Sequence, residues 1–193
     1  MAVEMFHQNE IARAIRLLCQ GATALITDTE PGCEVKVGSN AMFEIGEQVR
    51  LRDSAGWEEK TVAETPGLKT VRFTEPIEGA YLISRGARLE MTDDSLGELA
   101  WVGQGSPELM PRSPARRFPC VLVTPGIMRQ PVDEGSNRVF QQDYTFRVFY
   151  VTEYEEGEQA NIRALEGAAA LFNRLMADPY LGGTCWYLSL IHI

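Results

Sequence analysis

The run RVFQQDYTFRVFYV, residues 138–151, decides how the chain is read. Phe140, Tyr144, Phe146, Val148 and Tyr150 fall on every second position, so they share one face of an extended strand. The other face is polar through Gln141, Asp143, Thr145 and Arg147, then turns apolar at Phe149 and Val151. A strand this long, with an aromatic face, needs something laid over it. Just upstream, FPCVLVTP (118–125) is apolar on both faces from Cys120 to Val123, the pattern of a buried strand. Just downstream, an acidic turn over 153–158 leads into a helical pattern from about 159 to 177. Its apolar stripe, Ile162, Leu165, Ala169, Phe172 and Met176, is expected to face inward, and Asp178-Pro179 ends it.

A second amphipathic helix is expected over 3–20 at the N-terminus. Ile11, Ala14, Ile15 and Leu18 lie on one face, Glu10, Arg13 and Arg16 on the other, and Gly21 stops the helix. From residue 22 to 91 the period changes to two. Val35 and Val37, Val49 and Leu51, Val71 and Phe73, and Ala87, Leu89 and Met91 alternate with polar neighbours, and Tyr81 and Ile83 open a further run. Ser39-Asn40, Asp53-Ser54-Ala55-Gly56, Thr65-Pro66-Gly67 and Glu78-Gly79 mark the turns. The expected fold is therefore α+β. A mixed sheet covered by two helices is built from 1–21 and 118–187, and a small all-β, barrel-like unit of 22–91 is inserted in it.

Residues 92–117 follow neither period. They are rich in Gly, Pro and Ser yet keep Leu99, Trp101, Val102, Leu109 and Met110. An irregular stretch with apolar side chains reads as a contact loop, and Trp101, Val102, Leu109 and Met110 are the candidate subunit-interface residues. At the other end, Gly182-Gly183 turns into Thr184-Cys185-Trp186-Tyr187, which reads as the start of a last strand. Residues 188–193, LSLIHI, match the translation of a transposon mosaic-end adapter used in sequencing libraries. They are read as an adapter artefact and left out of the fold, which also leaves His7 as the one native histidine.

The chemistry-bearing patterns are sparse. No G-x-x-x-x-G-K-[ST], H-E-x-x-H, G-x-S-x-G or C-x-x-C occurs. Gly103-Gln104-Gly105 has Glu108 where a dinucleotide loop needs its third glycine. Asp93-Asp94 and Glu155-Glu156-Glu158 lack the Gly-punctuated alternation of a calcium loop and read as solvated acidic turns. Cys19, Cys33, Cys120 and Cys185 match no zinc-ligand spacing; Cys19 closes an apolar helix face and Cys120 lies inside an apolar strand. No enzymatic activity and no cofactor are expected.

The formal charge is −9, and the one basic cluster, Arg112, Arg116 and Arg117, is broken by Pro114. Tight nucleic-acid binding needs more clustered cations than that. No apolar run approaches the roughly 20 residues of a membrane span. The first ten residues have neither the basic start nor the apolar stretch of a secretory signal, so folding in a cytoplasm is the expectation. Trp57, beside Gly56, is read as an edge residue of the β unit, with a sugar-stacking platform as the alternative.

The order helix, buried strand, long alternating strand, helix, final strand resembles the tail-terminator and minor-tail proteins of long-tailed bacteriophages. The residues that carry the resemblance are 118–123, 143–151 and the helix over 161–176, with a weaker likeness over 1–21. The run AMFEIGEQVRL (41–51) is similar to small β modules spliced into phage neck and tail proteins. The resemblance implies a structural virion protein, assembled in the host cytoplasm. It implies a ring, expected to be a hexamer, that caps the tail tube and meets the head connector. It also implies partners in the tail-tube and connector proteins, and a lumen whose negative charge keeps passing DNA from sticking. A neck or head–tail adaptor and a carbohydrate-binding tail module are the alternatives.

Overall fold

A computed structural model describes residues 8–92, 99, 101–107, 118–129, 143–152 and 158–181. They fold as an α+β protein with two helices and two mostly antiparallel sheets. The elements are α1 (Gln8–Cys19), β1 (Ala22–Ala24), β2 (Glu34–Lys36), β3 (Gln48–Arg52), β4 (Trp57–Glu64), β5 (Thr70–Phe73), a 3₁₀ turn (Ile83–Arg85), β6 (Arg88–Met91), β7 (Trp101–Gln104), β8 (Cys120–Arg129), β9 (Asp143–Val151) and α2 (Glu158–Ala177).

The first sheet has the order β1-β6-β3-β4-β5-β2 and curls strongly. Its two outermost strands approach each other through a bridge between Leu25 and Val37. The Ile26 amide donates to the Lys36 carbonyl and the Gly38 amide to the Ala24 carbonyl, each at 2.9 Å. Inside the curl, Val35, Val37, Val49, Leu51, Val71, Phe73 and Leu89 are buried, so the alternation read in the sequence sets the inward face. Phe43, Ile77 and Tyr81 enter the same core from the connections.

One local expectation fails in this sheet, and one strand goes unannounced. Tyr81 and Ile83 do not open a strand: Ile83–Arg85 is a 3₁₀ turn ended by Gly86 at φ 75°, and Ile83 is exposed. The alternation is broken because Asp53 and Asp28 accept from the amides of Leu82 and Ile83, which takes this backbone out of the ladder. The eight-residue strand β4 has no apolar alternation to announce it. Its inward positions include Glu58 and Lys60, which are tolerable there because they pair at 2.9 Å.

In the second sheet β8 runs between β7, parallel to it, and β9, antiparallel. Trp101 pairs with Cys120, and Val121 with Tyr150. The expectation of an irregular 92–117 therefore fails at Trp101–Gln104, where Trp101 and Val102 lie in a strand. Both helices cover one face of this sheet. Ile11, Ile15, Leu18 and Cys19 of α1, with Leu171 and Leu175 of α2, close over Val121 and Val123. Tyr144, Phe146, Val148 and Tyr150 pack at the border of that core, on the shared face expected of them, though half-buried rather than buried. Phe140, and the last strand expected over 184–187, lie outside the described residues.

The face of α2 is the reverse of the one expected. Gly167, Leu171, Arg174, Leu175 and Asp178 are buried, whereas Ile162, Leu165, Ala169, Phe172 and Met176 are exposed. The reason is distance. A Cβ on Gly167 would lie 2.2 Å from the Tyr150 ring, so at that turn the helix approaches β9 too closely for any side chain, and Leu171 and Leu175 supply the apolar contact further along. Arg174, buried beneath α2, donates to the Cys19 carbonyl at the C-terminus of α1 (3.3 Å), where a cation meets the negative end of the helix dipole.

Candidate subunit interface

β7 is the outermost strand of the small sheet, and among the described residues it pairs with β8 alone. Strand alternation sends the side chains of Trp101 and Val102 to opposite faces. Val102, level with Val121, points under the helices and packs half-buried against their core. Its side chain thus serves the core at least in part. Trp101 faces the other way, level with Cys120 and Val151, and remains 36% exposed. Its indole lies across Gly103, where even a methyl group would collide with the ring. Glycine at 103 thus allows the indole to lie flat along the edge strand. Leu109 and Met110 lie outside the described residues. Of the four residues chosen from the sequence, Trp101 alone is described as surface-facing.

The larger exposed apolar feature was read in the sequence as core. Along α2, Ile162 (46%), Leu165 (69%), Phe172 (41%) and Met176 (40%) stand exposed, with Ala169 between them. Their spacing of 3, 4, 3 and 4 residues places them in one seam along the helix, the a/d pattern of helices that pack on helices. The seam is legible in the sequence but its direction is not, because the buried face interrupts Leu171 and Leu175 with Gly167, Arg174 and Asp178.

The titratable groups of the curled sheet do structural work. The Asp53 carboxylate accepts from the amides of Ala55 (2.7 Å), Gly56 (3.2 Å) and Leu82 (3.3 Å) and lies 2.8 Å from Arg85 Nε. Burial alone would raise its pKa, but these donors and the guanidinium outweigh burial and hold it below the usual carboxylate range. Glu58 is likewise held low against burial by Lys60 and by the amides of Glu78 (3.2 Å) and Gly79 (3.3 Å). Tyr81 is pushed up to about 12, first by burial and then by the charge of Glu58, to which its hydroxyl donates. Every oxygen here is already engaged in pinning a loop.

Cys19 and Cys120 are fully buried, and Cys33 is half-buried. Among the described residues no group of three or more His, Cys, Asp or Glu side chains can hold a metal ion, and no helix is long and apolar enough to cross a membrane. Trp57 is 59% exposed, with the Arg50 guanidinium 4.7 Å from its ring centroid and Arg50 also paired with Glu59 at 3.0 Å. Compared with family models, with curated proteins and with solved structures, the chain matches none.

Proposed function

We propose that the chain is a structural protein that works by assembling with copies of itself: a tail-terminator-like ring subunit of a long-tailed bacteriophage. In that role it caps the tail tube, joins it to the head connector, and resides in the virion after assembly in the bacterial cytoplasm. The observation that carries this reading is the exposed indole of Trp101, laid along β7, which is an edge strand among the described residues. An edge strand offers unpaired backbone groups to a neighbour, and an aromatic beside them supplies the apolar anchor a subunit contact needs. A contact between this edge and a different surface of the next copy is head-to-tail, and such contacts close into rings when the rotation permits. The net charge of −9 suits a ring through which DNA passes without adhering. The resemblance of 118–123, 143–151 and 161–176 to tail-terminator proteins supplies the station in the particle.

The test is assembly. Purified protein, followed by light scattering and negative-stain microscopy alone and with tail tubes, is expected to give closed rings, and Trp101→Ala is expected to abolish them. A product that stays free of rings at high concentration and on tail tubes removes the reading. A carbohydrate-binding role is favoured by one observation, the 59% exposure of Trp57, whose ring Arg50 overlies. Quenching of its fluorescence on titration with cell-wall oligosaccharides, lost in Trp57→Ala, is the outcome that would select that role instead.

A further inference from the structure

We infer that the outer seam of α2 is a docking surface for a second copy of this chain, with the two α2 helices antiparallel across a two-fold axis at Ala169. The pairing is independent of the ring contact proposed at β7.

Three features of the helix support this occupant and its direction. The first is the order of side-chain sizes. The seam reads Ile162, Leu165, Ala169, Phe172, Met176, with the smallest residue central and larger ones on both sides. Antiparallel pairing about Ala169 sets Ile162 against the partner's Met176 and Leu165 against the partner's Phe172. The two backbones then meet closely at the alanines. Parallel pairing would instead stack Leu165, Phe172 and Met176 each on its own twin, with the alanines again in contact, so size alone makes the seam self-complementary and charge sets its direction.

The second feature is charge. Glu153, Glu155, Glu156 and Glu158 lie in sequence just before or within the first turn of α2, with no basic residue among them. A parallel pair would bring two such clusters together. An antiparallel pair separates them by the length of the helix, about 30 Å for twenty residues, which is well beyond the Debye length at physiological salt. It also sets opposite ends of the two helix dipoles side by side. The exposed flank of the seam itself carries one cation and one anion, Arg163 and Glu166, with Asn161 and Asn173. A second copy therefore meets no net like charge there.

The third feature is area. Four large apolar side chains stand 40–69% exposed on the seam, and Tyr180 (56%) lies just beyond its C-terminal end. Two such surfaces brought together remove on the order of 1,000 Å² from water, the lower limit for a specific interface. The pair is accordingly one that forms at micromolar protein and dissociates on dilution.

Cysteine cross-linking of the full-length protein reads the geometry directly. In a background with Cys33 and Cys185 changed to serine, Ala169→Cys is expected to form a disulfide-linked dimer under mild oxidation. Leu165→Cys mixed with Phe172→Cys is expected to cross-link between the two variants, while neither does so alone. Efficient cross-linking of Leu165→Cys to itself would mean a parallel pair and overturn the proposal. Independently, Leu165→Glu alters the most exposed seam residue and is expected to weaken dimerisation at least about 30-fold, the size of effect a central interface residue produces, with an unchanged melting temperature at protein concentrations too low for the dimer to form. A wild-type protein monomeric by light scattering at 200 µM overturns the proposal, as does a dimer indifferent to Leu165→Glu. Rings that form in Leu165→Glu leave the ring reading standing without the pair, and α2-linked dimers that never form rings do the reverse.

Discussion

Asp53 shows how a single side chain organises the mouth of the curled sheet. It turns the chain between β3 and β4 through the amides of Ala55 and Gly56, and reaches Leu82 and Arg85 on the far side. Its carboxylate is held low, so its contribution to stability is complete above about pH 4, the ordinary carboxylate range, and is lost as pH falls through the depressed native value. Glu58 acts with the same sign. Acid titration of the unfolding midpoint is therefore expected to fall steeply below pH 4. Asp53→Asn is expected to be less stable at neutral pH and to show a shallower acid slope; an acid limb unchanged in that variant would assign the loss to other groups. Tyr81 has the opposite sign. Its hydroxyl, raised to about 12, favours the fold up to pH 10 or so and opposes it as pH climbs toward the native value. Tyr81→Phe is expected to remove that alkaline loss while leaving Glu58 one donor poorer, which denaturant melts at pH 8 and pH 10.5 distinguish.

At the scale of elements, the sequence discloses those whose burial is paid in apolar side chains and hides those whose burial is not. The inward faces of β2, β3, β5 and β6 are legible because Val35, Val49, Leu51, Val71 and Leu89 alternate with charged or polar neighbours. In β4 two inward positions are Glu58 and Lys60, whose ion pair no periodicity reveals. In α2 hydrophobicity points at the wrong face, because the buried side combines Leu171 and Leu175 with a glycine at the Tyr150 contact and with Arg174 and Asp178, which break the apolar stripe there. Trp101–Gln104 is hidden for another reason: its partner Cys120–Val123 is parallel and distant, and four residues carry too short a period to read. Two substitutions test this account. Gly167→Ala gains about 1 kcal/mol of helix propensity but drives a methyl into the Tyr150 ring, at a cost of about 1–3 kcal/mol. A net loss is expected, and Gly167→Ala combined with Tyr150→Leu is expected to recover it; a plain gain in the single variant would mean that α2 does not sit so close. Tyr144→Ala and Phe146→Ala, half-buried at the border of the helix-covered core, are each expected to cost about 1.5–3 kcal/mol, short of the 3–5 of a fully enclosed aromatic.

Across the whole molecule, the two sheets are joined by more than chain continuity. α1 packs on the small sheet through Ile11, Ile15 and Leu18, then passes through Gly21, at φ 65°, directly into β1 of the curled sheet. The Gly21 carbonyl accepts from the Met91 amide at 2.9 Å, so the start and the end of the 22–91 unit are fastened at the foot of the helix. Gln8 at the other end of α1 donates to the Gly126 carbonyl of β8 at 3.2 Å. Met42, in the connection between β2 and β3, packs against both hydrophobic cores. A helix shared by two sheets cannot leave one of them without disturbing the other, and an unbranched side chain such as methionine is suited to filling the irregular seam between them. The consequence is cooperativity: the curled sheet and the helix-covered sheet are expected to unfold in one transition, despite having separate cores. Far-ultraviolet circular dichroism, dominated by α1 and α2, and fluorescence of Trp57 on β4 report on the two halves separately in a variant whose other tryptophans are replaced by phenylalanine. Coincident midpoints are expected. Met42→Ala is expected to lower both together, by the equivalent of about 1–2 kcal/mol for a partly buried methionine, without separating them. Two midpoints in the wild type would show that the halves are thermodynamically independent, and splitting only in Met42→Ala would locate their coupling at that side chain rather than in α1.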